Sequence, residues 1–150
     1  RDYKVTGVQT CALPILLDHQ GVVYITDFGV AIDWDSLLTR QPLQLAGTLA
    51  YVAPEQLEGR ADERSDVYAL GVTLYELCTL TPAYRAATNE ALLELVRAAN
   101  PPRPRQLVPT MPAELERILL QAMARQPRQR FQSAVGLRSA LLEFVKQARG

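Results

Sequence analysis

The spacing of apolar residues divides the chain into a short extended part and a long helical part. Ile15-Leu16-Leu17-Asp18, His19-Gln20-Gly21 and Val22-Val23-Tyr24-Ile25-Thr26 predict a hairpin. Gly21 supplies the backbone freedom of a tight turn, and β-branched residues favour the second strand. Residues 29 to 46 keep no period, and a loop that long inside a compact domain is usually functional. Residues 48 to 58 read as a loop turning into a short helix at Pro54, a good first-turn residue. Val67, Leu70, Gly71, Leu74, Leu77 and Cys78 then recur at helical spacing within residues 66 to 80. Their apolar circumference predicts a central, largely buried helix with Ser65 as its N-cap. Residues 89 to 99 predict a second amphipathic helix. Pro101, Pro102, Pro104 and Pro109 predict an extended connector. Pro112 opens a third helix with Leu115, Ile118, Leu119, Ala122 and Met123 on one face. Ser133 caps a last one with the stripe Leu137, Leu141, Phe144, Val145 and Ala148. Met123 and Phe144 lie in these stripes and read as core. The fold class is mainly α: a helical bundle with one small β-hairpin.

Composition narrows this little. With 150 residues, 48% hydrophobic and 21% charged, the chain has the make-up of one globular domain with a real core. No apolar run approaches the ~20 residues of a membrane span, and the start lacks the basic and apolar regions of a secretory signal. Cys78 is the one cysteine beyond residue 15, so no disulfide framework is expected, which fits a reducing cytoplasm. Charge is balanced overall but uneven: 7 basic and 13 acidic residues through Asn100, 9 and 3 from Pro101 onward. An arginine-rich solvated helical surface explains the surplus, and a docking face for acidic partners is the other reading. No nucleic-acid motif is present. His19, the only histidine, sits at the turn tip and reads as solvent-exposed.

Four motifs in order carry the chemistry. Asp27-Phe28-Gly29 follows an apolar strand, and Ala53-Pro54-Glu55 comes 24 residues later. Gly47-Thr48-Leu49-Ala50-Tyr51 precedes Ala53, and Ser65-Asp66-Val67-Tyr68-Ala69-Leu70-Gly71 follows it. Residues 16–148 thus resemble the C-terminal lobe of a serine/threonine protein kinase, most like the bacterial eukaryotic-type kinases. The resemblance implies that the intact parent transfers the γ-phosphate of ATP, with Mg2+, to serine or threonine hydroxyls of protein substrates. Asp27 is then the magnesium-binding aspartate, within an ATP-site motif that includes Phe28 and Gly29. A carboxylate is a suitable hard ligand for that ion; read alone, Asp27 also fits a turn cap. Thr48 is implied to lie beside the acceptor residue. Glu55 and Arg130 are implied to meet as a buried ion pair, with Gln126 standing where an acidic residue is usual. Asp66 is implied to brace the catalytic-loop backbone, although it is equally an ordinary first-turn acid favoured by the helix dipole. Ser36 and Thr39 are candidate phosphosites in the activation segment.

Residues 1–15 stand apart. Residues 5–15, Val-Thr-Gly-Val-Gln-Thr-Cys-Ala-Leu-Pro-Ile, resemble the translation of a sequencing-library adapter. They are set aside as an artefact, leaving 16–148 as a partial kinase domain without its N-terminal lobe. The His-Arg-Asp of the family, its magnesium-binding Asn and the ATP-gripping Lys would all lie upstream; alignment puts Gln9 and Pro14 where the Asp and Asn belong. No catalytic residue is therefore expected within the fragment, which should be inactive without the N-terminal lobe. A pseudokinase-type or helical protein-interaction module is the alternative. The location expected is cytoplasmic, although kinases of this kind often continue into a membrane span.

Overall fold

The computed structural model describes residues 15–17, 23–25 and 49–149. Strands β1 (Ile15–Leu17) and β2 (Val23–Ile25) pair antiparallel, with Leu16 opposite Tyr24, as the hairpin pattern predicts. After residue 49 the described chain is helical and turns on a single long element.

A 3-10 turn, Pro54–Glu58, begins where the proline ring fixes φ. The backbone N–H of Ala53 donates to Gln56 Oε1 at 2.7 Å. Gly59 closes the turn at φ 72, a conformation costly for residues with a Cβ. Helix α1 (Glu63–Thr79) follows, starting three residues before the spacing suggested. Its cap is Asp62, not Ser65. Asp62 Oδ1 accepts from the Arg64 N–H at 2.8 Å, and Ser65 instead accepts from the Asp62 N–H at 3.3 Å. Both residue types suit an N-cap. Ser65 is drawn inside the helix because its hydroxyl has another partner, described below.

Helix α1 runs between two apolar clusters. Tyr68, Val72 and Tyr75 pack with Leu49, Ala53, Tyr84 and Met123 on one side. Val67 packs with Ile118, Ala122 and Leu137 on the other, flanked by Leu70, Leu74, Leu141 and Phe144. The predicted stripe overreaches at its end. Leu77 is 64% exposed and Leu80 88%, because no described element reaches the last turn on that side.

Helix α2 (Asn89–Ala98), capped by Thr88, buries Leu92 and Val96. The proline-rich stretch is not wholly extended: Pro104–Leu107 forms one helical turn, α3. Pro104 is tolerated at its start, where its missing N–H is not needed. The turn is held from outside, since the Arg105 N–H donates to Glu116 Oε1 at 3.0 Å and Tyr75 donates to the Pro102 carbonyl at 2.8 Å.

Helix α4 (Ala113–Ala122) begins after Pro112 and buries Ile118, Leu119 and Ala122. It crosses α1 at Gly71, where a Cβ would stand 2.8 Å from Ala122 Cβ and 2.9 Å from Met123 Cγ. A second 3-10 turn, Pro127–Gln129, leads to α5 (Ala134–Arg149). Ser133 caps α5 as expected, accepting from the Gly136 N–H at 3.2 Å. Leu137 is buried, whereas Val145 and Ala148, expected in the core, face solvent. No described helix is long and apolar enough to cross a membrane.

Candidate functional site

Glu55 and Arg130, 75 positions apart, meet in a parallel fork with both Nη–Oε distances at 2.7 Å. The 3-10 turn presents Glu55, and the extended residue ending the Pro127–Gln129 turn presents Arg130. The Arg130 side chain is wholly buried. Its remaining donors reach the carbonyls of Ala124 (2.7 Å), Arg64 (2.9 Å) and Arg125 (3.2 Å). Every N–H of the guanidinium is therefore used. Its Cζ lies 4.7 Å from the centre of the Tyr68 ring, within cation–π range.

Ser65 completes the anchor by donating to Glu55 Oε1 at 2.7 Å. Three separate pieces are tied at one carboxylate: the end of the Ala-Pro-Glu motif, the first turn of α1, and the loop after α4. Burial works against the charge on Glu55, but the bonds from Arg130 and Ser65 outweigh it and hold its pKa below the ordinary carboxylate value. Behind the pair, the hydroxyls of Tyr68 and Tyr84 stand 2.9 Å apart. Burial pushes the Tyr84 phenol up to about 12 and Tyr68 well above its usual value, so both are neutral hydrogen-bonding groups.

Asp66 lies in the first turn of α1, exposed, with no hydrogen bond to its carboxylate among the described residues. Its pKa is raised, first by partial burial and then by Asp62 nearby. Asp27, Phe28, Gly29, Ser36, Thr39 and Thr48 lie outside the described residues.

Two polar contacts were not anticipated from sequence. Tyr51, inside the Gly47 to Glu55 pattern, donates to Glu76 Oε2 of α1 at 2.5 Å. Burial, and then Glu76, push the Tyr51 phenol up to about 12. The segment before Ala-Pro-Glu is thus held to α1 at a second point. The other is Glu116, buried in α4, which also receives Arg103 at 3.2 Å. For Glu116, a carboxylate beside the apolar face of α4 was the available signal.

A hairpin leading into a helical lobe built around one central helix is the arrangement expected of a kinase C-terminal lobe. Comparison agrees: residues 9–136 match the family described as protein tyrosine and serine/threonine kinase. The chain belongs to the protein kinase family. Within that family this kinase lobe is similar to bacterial members. It is 37% identical over 134 residues to the tyrosine-protein kinase MasK of Myxococcus xanthus, covering 89% of this chain and 21% of that protein. It is 36% identical over 123 residues to the serine/threonine-protein kinase PrkC of Bacillus subtilis, covering 80% and 19%. It is 39% identical over 126 residues to the DNA damage-responsive serine/threonine-protein kinase RqkA of Deinococcus radiodurans, covering 82% and 19%. The kinase lobe thus spans 19–21% of the length of these relatives.

Proposed function

We propose that this chain is the substrate-side lobe of a serine/threonine protein kinase, transferring the γ-phosphate of ATP to protein hydroxyls once an N-terminal lobe is joined to it. The observation that carries this reading is the Glu55–Arg130–Ser65 anchor. It fixes the end of the activation segment to the central helix, and phosphoryl transfer depends chiefly on positioning and electrostatics. Tyr51, bonded to Glu76, holds the stretch just before that anchor. The complete pattern from Gly47 to Glu55, with Thr48 in second place, favours serine and threonine as acceptors, as do the names of PrkC and RqkA.

The residues present suit the cofactor. Asp27 offers a hard carboxylate oxygen of the kind Mg2+ prefers, and the bound ion would neutralise charge on the phosphate oxygens. This chain's own residues hold the end of the activation segment; the catalytic base and the ATP-gripping lysine would have to be supplied from outside residues 16–148. Residues 1–15 remain, in this reading, adapter-derived, and 16–148 a partial kinase domain working in the cytoplasm.

The deciding experiment recovers the locus upstream of the Leu16 codon and assays the parent with ATP, Mg2+ and matched Ser, Thr and Tyr peptides. Transfer to Ser and Thr, lost in Asp27→Asn, is the expected result. Transfer to Tyr alone, or none from a parent carrying the lysine and catalytic aspartate, overturns it.

A further inference from the structure

We propose that the cleft between the Pro54–Glu58 turn, α2 and the loop after α4 binds a phosphorylated serine or threonine of a partner polypeptide. The cleft holds ≈ 320 Å³ and is walled by Pro54 and Pro127. Three arginines line it from three separate elements: Arg60 after the first turn, Arg97 on α2, and Arg125 after α4. Glu55, at the same wall, is already neutralised by Arg130. Glu58 is the other acid of the lining, so the three arginines give the lining residues a net charge of +2 (three minus one), part of which Arg97 shares with Glu94 outside the cleft.

The arginines are free to be recruited. Arg60 pairs with Glu58 and Arg97 with Glu94, both on the exposed surface, where such pairs contribute little and exchange at small cost. Arg125 has no carboxylate partner among the described residues, and it is exposed. Three planar forks offer more donors than a single carboxylate can accept. A phosphomonoester presents three oxygens and about −1.5 to −2 charges, matching both the donors and the net charge of the lining.

This inference rests on the kinase reading only in that phosphoserine and phosphothreonine would be its products. The test contains no nucleotide, so its failure leaves the kinase reading standing. A fluorescent Gly/Ala-rich peptide with one phosphoserine, and its unphosphorylated twin, are titrated with the 150-residue chain while anisotropy is followed. The phosphopeptide should bind at least about tenfold tighter than its twin. Arg125→Gln and Arg97→Gln should each weaken it by about tenfold, while Arg138→Gln, exposed on α5 outside the cleft, should not. Thermal melts of these variants should match the parent chain, since Arg130 uses only the backbone carbonyl of Arg125. Equal binding of the twin peptides overturns the proposal, as does equal weakening by Arg138→Gln, which would mark general charge attraction. Inorganic phosphate competing as well as the unlabelled phosphopeptide would also overturn it, marking a site for free anion.

Discussion

Arg130 has all five donors occupied, an aromatic ring against its face and no contact with solvent. Removing it leaves Glu55 buried and uncompensated, and breaking such a pair costs about 3–5 kcal/mol. Arg130→Ala should therefore lower the unfolding free energy of the lobe by that order in urea titration. Arg128→Ala should stay within ~0.5 kcal/mol, because the Arg128 guanidinium is exposed and among the described residues bonds only to Gln126. Equal midpoints for the two variants would refute the anchor. The pair also sets a pH dependence. The folded pKa of Glu55 is depressed, so the stabilisation it contributes is complete above the unfolded carboxylate value of about 4.3. It is lost as pH falls through the lower, folded value. Below about pH 4.3, Glu55→Gln should lose stability less steeply than the parent chain when melts are compared across pH. Parallel acid limbs would count against the linkage. The pairing of Glu55 with Arg130 is implied by the family resemblance and by no local pattern, and Ser65 reads locally as a cap because its partner lies ten residues away.

At the level of elements, α1 and α4 approach closely at Gly71. A methyl group there would overlap Ala122 Cβ and Met123 Cγ, and the Ala122 backbone carbonyl carbon stands only 3.2 Å away. Met123 can give, but the backbone of α4 cannot without shifting the helix. Gly71→Ala should cost about 1–3 kcal/mol by overpacking, against the usual gain from replacing a helical glycine. A melting temperature at or above that of the parent chain would show that α4 is free to move. The four longer helices are readable in the sequence, since the apolar period is local. Where the reading slipped, tertiary contacts had intervened. Glu116 supports α3 from across the fold, turning an expected extended connector into a helical turn. The stripes of α1 and α5 run past the elements that cover them.

Across the whole molecule, Leu77 and Leu80 at the end of α1 and Val135, Leu142 and Val145 on α5 leave apolar surface in solvent. The α5 residues share a face, being seven and three positions apart, and such patches promote self-association. Leu142→Lys with Val145→Lys should reduce association of the chain in sedimentation velocity without lowering its melting temperature. Unchanged sedimentation would place the adhesive surface elsewhere, and a lowered melt would show that these residues belong to the core.

By itself the sequence determined the helical lobe, the hairpin and the family motifs, whose resemblance implied the buried ion pair. These follow from periodicities and short strings that each segment carries alone. Only the tertiary structure decided that Asp62 caps α1, that Ser65 joins Glu55, that Tyr51 meets Glu76, and that Arg60, Arg97 and Arg125 line one cleft. Those pairings join residues 10 to 65 positions apart, or turn on which of two equally suitable side chains is drawn elsewhere. Their geometry exists only when the packing of α1 against α4 and α5 brings the elements together.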